Sequence, residues 1–119
     1  MVKNFSNEYG KVIIEGEVIA QVGGIAAMEC YGIVGMAARS VKDGIVTLLR
    51  RDNITKGVFV QIEGDNVDIE LHIIVEYGTK ISAITDNLIS TIKYKLKDML
   101  DLQVRSIKIY VEGVRVDHH

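Results

Sequence analysis

Residues 58–76 hold two alternating apolar runs joined by a turn, and they narrow the possible folds more than any other stretch. Val58, Val60 and Ile62 alternate with Phe59, Gln61 and Glu63. After Gly64-Asp65-Asn66 the alternation resumes, with Val67, Ile69, Leu71, Ile73 and Val75 set against Asp68, Glu70, His72, Ile74 and Glu76. Successive side chains of a strand point to opposite faces, so this spacing predicts an antiparallel hairpin with one apolar and one mostly charged face. Such a sheet is covered on one side only.

The cover is supplied downstream. Ile81, Ile84, Leu88, Ile92, Leu96 and Met99 recur three or four residues apart, a single helical stripe from which Lys80, Asp86, Lys93 and Lys97 fall away. Thr79 is the expected N-cap. From Val104 the chain alternates again through Ile107, Ile109 and Val111, then shifts phase by one at Gly113 to Val114 and Val116. An extra residue beside a glycine predicts a β-bulge. A long helix between two strands predicts a crossover that leaves the last strand parallel to its predecessor, and hence a mixed sheet.

Upstream, Lys11-Val12-Ile13-Ile14 is β-prone, and Glu15-Gly16-Glu17 places carboxylates where a helix begins. Ile14, Val18, Val22, Ile25 and Cys30, supported by Ile19 and Ala26, keep helical spacing. Gly23-Gly24 inside that helix costs about 1 kcal/mol per glycine relative to Ala, which points to close packing there. Tyr31 to Ala37 reads as a turn and a short buried strand. Val41, Ile45, Leu48 and Leu49 predict a short helix within Arg39 to Arg51. Residues 1–8 are expected to be a flexible lead-in, 9–116 a single domain and 117–119 a tail. The fold class expected is α+β: a two-layer sandwich, with a mixed β-sheet and the helices packed on one face.

Composition bounds function more than it defines it. Of 119 residues 48% are hydrophobic, yet aromatics amount to five Tyr and two Phe, so the core is aliphatic. A net charge of −2 gives no general attraction to phosphate backbones or anionic lipid. One cysteine, Cys30, cannot form an internal disulfide, which suits a reducing cytoplasm. The N-terminal residues hold no apolar signal core, and the longest apolar run, Gly32 to Ala38, falls far short of the ~20 residues a spanning helix needs. Any membrane association is therefore expected to be peripheral and to run through a partner.

No catalytic constellation emerges. Cys30 ends an apolar helix, at the negative end of its dipole, a poor place for a thiolate nucleophile. His72 is expected as an exposed sheet histidine. His118 and His119 close the chain with nothing to fix their geometry. Asp68, Glu70 and Glu63 share an open charged face, where pairing with Lys108 is expected in place of acid–base work. Gly64-Asp65-Asn66 is too short for a calcium loop. A non-enzyme without metal or cofactor is expected. Gly32-Ile33-Val34-Gly35 does match the G-x-x-G pattern that clamps nucleic-acid backbone in KH domains. A basic cluster follows it: Arg39, Lys42, Arg50, Arg51 and Lys56 against Asp43 and Asp52, +3 locally while the rest of the chain is −5. That makes a nucleic-acid-binding module the alternative reading.

Taken in order, Gly10-Lys11-Val12 leading to Val18-Ile19-Ala20, Tyr31-Gly32-Ile33-Val34-Gly35-Met36, Gly57-Val58-Phe59-Val60 and the ending from Val104 to Val114 resemble the alkaline-shock, envelope-stress-response family of Gram-positive bacteria. The resemblance covers roughly residues 9 to 116, and the chain is most similar to the family's compact members. It implies a non-enzymatic, cytoplasmic interaction module that self-associates or docks on a protein partner near the cytoplasmic face of the envelope, in some members through a separate membrane anchor. The surface residues expected to carry this are Phe59, Ile74 and Tyr110. They belong to the otherwise polar phase of three strands and would form an apolar patch rimmed by charge.

Overall fold

The structure, a computed structural model, describes residues 2–116. In chain order it contains β1 (Val2–Asn7), β2 (Gly10–Glu15), α1 (Gly16–Met28), β3 (Ile33–Arg39), β4 (Val46–Leu48), a 3₁₀ helix (Arg51–Gly57), β5 (Val58–Glu63), β6 (Asn66–Glu76), α2 (Ile81–Leu100) and β7 (Val104–Arg115).

β6 organises the sheet. β5 runs antiparallel to it, with Val58 opposite Leu71 and Glu63 opposite Asn66, closed by a Gly64-Asp65 turn in which Gly64 has φ +60°. β3 is also antiparallel, with Ile33 opposite Val75 and Met36 opposite Ile73. β7 lies parallel to β6 from Val67 to Glu76, as the crossover predicts. Since β7 pairs with the same stretch, β3 and β5 must share the opposite edge and abut there end to end. Gly57 sits at their junction. A Cβ at that position would lie 2.9 Å from the Ala37 carbonyl oxygen and 3.1 Å from Met36 Cβ. The chain between the two half-strands is an excursion carrying β4 and the 3₁₀ helix.

One face of this sheet is the core. Val67, Ile69, Leu71, Ile73 and Val75 are buried against Ile84, Leu88, Ile92 and Leu96 of α2 and Ile19, Ala26 and Ala27 of α1. Both helices therefore lie on one side, and the two-layer α+β sandwich is what the alternating pattern predicts. The stripe on α2 is shorter than expected, because Ile81 and Met99 at its ends are exposed. Thr79 is not its cap: its hydroxyl donates to the Glu76 carbonyl, and Lys80 occupies the capping position with no side-chain bond. Of the two helical glycines, Gly24 packs tightly on Ile54 and Val58, while Gly23 has ordinary room.

Two expectations are corrected. The stretch read as a flexible lead-in forms β1, paired antiparallel with β2 from Val2↔Glu15 to Asn7↔Gly10 around a Glu8-Tyr9 turn. A β-prone run needs a ladder partner, and the preceding chain is the nearest available. The short helix expected between Arg39 and Arg51 is instead a hairpin: β4 pairs with the end of β3, Ala37 opposite Leu48 and Arg39 opposite Val46. Gly44 adopts φ +72°, and the Asp43 carboxylate accepts the Ile45 N–H, which turns the chain where a helix would have to continue. The 3₁₀ helix comes later, at Arg51–Gly57. The tail of 117–119, with His118 and His119, lies outside the described residues.

Candidate functional site: the open face of the sheet

The alternation that buries one row of β6 necessarily turns Asp68, Glu70, His72 and Ile74 to the opposite face, which no helix covers. The registers place Phe59 of β5 opposite Glu70, and Lys108 and Tyr110 of β7 opposite Glu70 and His72. Three rings thereby cross the sheet. His72 stacks on Tyr110, with centroids 4.8 Å apart and planes 7° from parallel, and meets Phe59 edge to face at 5.4 Å. Phe59 is 56% and Tyr110 43% exposed.

His72 is held at both ring nitrogens. Nε2 lies 2.9 Å from Glu70 Oε2, and Nδ1 lies 3.2 Å from Glu112 Oε1. A neutral imidazole has one N–H and can donate to only one of these carboxylates; the imidazolium donates to both. The other oxygen of Glu112 accepts a bond of 2.7 Å from Arg39 Nε, and Arg39 Nη1 donates to the Gly44 carbonyl. Burial pushes the Glu112 carboxyl up, but the hydrogen bonds from Arg39 and His72 outweigh it and leave it below the usual glutamate value.

The bulge makes this possible. Ile73 pairs with Val111 and Ile74 with Gly113, so Glu112 is the extra residue. It serves the open face, while Val114 returns to the core-facing phase opposite Val75. The bulge predicted at Gly113 thus exists, one residue earlier in its insertion. A second register shift, which the alternation did not reveal, makes Arg105 an extra residue between Val104 and Ser106. Its guanidinium binds Asp68 in a forked pair, and Ser106 Oγ donates to the same carboxylate at 2.7 Å. These bonds hold the Asp68 carboxyl well down, to about 2. Asp68 therefore pairs with Arg105, where Lys108 was the expected partner. A groove of about 410 Å³, floored by Phe59, Gln61, Glu70 and Lys108, adjoins the ring row.

The structure brings Phe59 and Tyr110 together through His72, with half-buried Ile74 two residues along β6. His72 is the member that sequence reasoning undervalued. It is the half-buried centre of the row, and its position between Phe59 and Tyr110 in adjacent strands was the available signal. Glu70 and Glu112 contact opposite nitrogens of one ring and cannot converge with it on a single ion. Among the described residues no His, Cys, Asp and Glu group is arranged to hold a metal.

The G-x-x-G segment is not a loop. Gly32 is buried with φ +84° beneath Ile84, and Ile33 to Gly35 run inside β3. Two β-prone residues between the glycines favour a ladder over an exposed clamp. Of the basic cluster, Arg39 is committed to Glu112, while Lys42, Arg50, Arg51 and Lys56 are exposed along the β3–β4 loop and the 3₁₀ helix.

These features define a small two-layer α+β module that presents an uncovered sheet face bearing an ordered aromatic row. The chain belongs to the ASP23 family, described by a cell envelope-related function, which its residues 4–116 match. It is 48% identical over 110 residues to the protein YloU of Bacillus subtilis (strain 168), covering 92% of each chain. It is 32% identical over 117 residues to Spy1614 of Streptococcus pyogenes serotype M6, covering 98% of this chain and 97% of that one. A stress response regulator gls24 homolog of Streptococcus pyogenes is 24% identical over 119 residues, with 96% of this chain and 66% of the relative covered. Among solved structures, a variant of the MamM CTD superposes with a TM-score of 0.50, covering 87% of this chain and 100% of the other. At 9% identity that likeness is one of fold alone. No helix among the described residues is long and apolar enough to cross a membrane.

Proposed function

We propose that this protein is a non-enzymatic interaction module of the cell envelope-related family, which docks through its open sheet face on a protein partner at the cytoplasmic side of the envelope. The observation that carries the reading is the row Phe59–His72–Tyr110. Its outer rings are exposed, yet each packs on His72 between them, on a face that the fold itself leaves bare. Exposed aromatic anchors with restricted motion are the groups that dominate protein interfaces. The family's envelope-related description and the stress-response name of its gls24 relative support a role in envelope stress. The nucleic-acid alternative loses its central feature, because Gly32 is a buried turn glycine and Ile33 to Gly35 lie within β3.

The test is site-specific photo-cross-linking in cells. A photoreactive side chain at position 59 is expected to give one discrete protein adduct that sediments with the envelope, and the same group at Asp98 on α2 is expected to give none. Phe59→Glu, with the photoreactive group moved to Ile74, is expected to abolish the adduct. Equal labelling from positions 59 and 98, or an adduct untouched by Phe59→Glu, would refute the reading.

A further inference from the structure

β7 closes one side of the sheet. Its inner edge is registered on β6, and among the described residues no strand pairs with its outer edge. α1 lies against β3 and β5, and α2 meets the sheet beside β7. Its helix-facing row is still only partly covered: Val104, Ile107, Ile109 and Val111 are half-buried and Val114 is 50% exposed, whereas the matching row of β6 is 0–2% exposed. A long free edge with an apolar row beneath it is a template for another strand.

The two bulges delimit the usable part of that edge. Arg105 is drawn inward to Asp68, and Glu112 to Arg39 and His72, which leaves Ser106 to Val111 as a regular segment of ordinary strand length. Lys108 is the one charge within it.

We propose that Ile107 to Val111 pairs antiparallel with the same segment of a second copy, so that one continuous sheet runs across a two-fold axis. Directly opposed residues of an antiparallel pair share a face, so one residue must meet itself at the axis. An axis at Lys108 sets two ammonium groups against each other, which is destabilising. An axis at Ile107 draws the bulged Arg105 into the ladder. An axis at Tyr110 opposes Lys108 to Glu112, whose carboxylate is already bound to Arg39 and His72 with 9% of its side chain exposed. The axis at Ile109 keeps the whole ladder from Ile107 to Val111 clear of both bulged residues, with Ser106 and Glu112 meeting only beyond its ends. It opposes Ile109 to itself and Ile107 to Val111 on the helix side, which finishes the half-buried row. On the open side it brings Lys108 onto the Tyr110 ring of the copy, a favourable cation–ring contact. Charge and bulge positions therefore select the alignment, and the segment's complementarity to itself at that alignment, apolar on one face and Lys108 on Tyr110 on the other, argues for a second copy as the occupant. The inference goes beyond the open-face reading, since it uses the edge of the sheet, and the two can fail separately.

The experiment is oxidative cross-linking of the full chain with Cys30→Ala, carrying Ile109→Cys, Ile107→Cys or Glu112→Cys. Only Ile109→Cys is expected to form a disulfide-linked dimer in high yield, because only position 109 faces itself. Light scattering is expected to show the unmodified protein at twice the monomer mass. Ile109→Lys is expected to halve that mass, with Ile109→Val retaining the dimer as the control for folding. Phe59→Glu, which removes the open-face anchor, is expected to leave the dimer intact. A monomer at high protein concentration, an open-ended polymer, equal cross-linking at 107 and 109, or loss of the dimer in Phe59→Glu would each overturn the proposal.

Discussion

Gly23 and Gly24 are neighbours in α1, both buried, and propensity alone treats them alike: alanine at either should gain about 0.8–1 kcal/mol in a helix interior. The structure separates them. A Cβ at 23 would meet only Val58 Cγ1 at 3.9 Å, an ordinary contact, so Gly23→Ala keeps the whole gain. A Cβ at 24 would lie 3.2 and 3.4 Å from Ile54 Cδ1 and Cγ1, and Ile54 is itself buried in the 3₁₀ helix. Ile54 must yield by a few tenths of an ångström, and overpacking of about 1 kcal/mol offsets the propensity gain, leaving Gly24→Ala near zero. Gly57→Ala carries the argument to its limit. Its Cβ would lie 2.9 Å from a carbonyl oxygen of Ala37, backbone that is held in β3 and cannot swing aside. The expected cost is about 2–3 kcal/mol.

Thermal and urea denaturation of the three variants, followed by circular dichroism, measures the series. For a chain of this size about 1 kcal/mol moves the midpoint by roughly 3–5 °C, so Gly23→Ala should rise by that amount, Gly24→Ala stay put and Gly57→Ala fall by twice as much or more. Equal shifts at 23 and 24 would show that propensity, not packing against Ile54, governs the helix. A tolerated Gly57→Ala would refute the end-to-end junction of β3 and β5.

Leu88 is fully buried at the centre of the α2 stripe while Met99 is 60% exposed, so Leu88→Ala should cost about 3 kcal/mol and Met99→Ala less than about 0.5, read from urea midpoints. The Asp68 carboxyl is depressed from 3.8 to about 2, so the stability it contributes is complete above 3.8 and is lost as pH falls toward 2. Asp68→Asn should lower stability at neutral pH and flatten that acid limb, and an NMR titration of the wild-type side chain should show its midpoint near 2. Glu112 is likewise held below its ordinary value, with Arg39 half exposed, so Glu112→Gln should cost about 1 kcal/mol at neutral pH and the difference from wild type should vanish in acid. In the same variant the His72 and Tyr110 ring resonances should broaden; unchanged ring shifts would show that Glu112 does not position the stack.

Much of the fold was legible because period-two and helical spacing report burial directly. β5, β6, the core of α2 and the bulge in β7 all leave such a pattern. The excursion between β3 and β5 did not, because a three-residue β4 is too short to alternate and its turn depends on Gly44 and the Asp43 carboxylate. Helical spacing at Val41, Ile45 and Leu48 was coincidence: the three side chains are exposed. β1 was missed because strand pairing across a two-residue turn requires no hydrophobic signature on the partner. At the open face, Phe59 and Tyr110 were visible as apolar residues in a polar phase. The linkage through His72 was not, since it depends on register between strands, and the Arg105 shift leaves no break in the alternation that follows it.

The charged residues of the open face bear on whether that face is merely solvated. Solvated carboxylates on a sheet need no extra residue and no long-range partner. Here Glu112 is an inserted residue whose carboxylate is nearly removed from solvent, and it is bound by a guanidinium that leaves the end of β3 to reach it. Desolvating a carboxylate beside the edge of a sheet works against stability, and the core gains nothing from it. What the arrangement does achieve is local: it fixes the plane of His72, and through His72 the edges that Phe59 and Tyr110 present. A surface whose aromatic groups are already immobilised loses less entropy when it is covered. The bulge, the inserted carboxylate and the tethered Arg39 are thus accounted for together if the row is built to be docked upon, and separately unexplained if it is not.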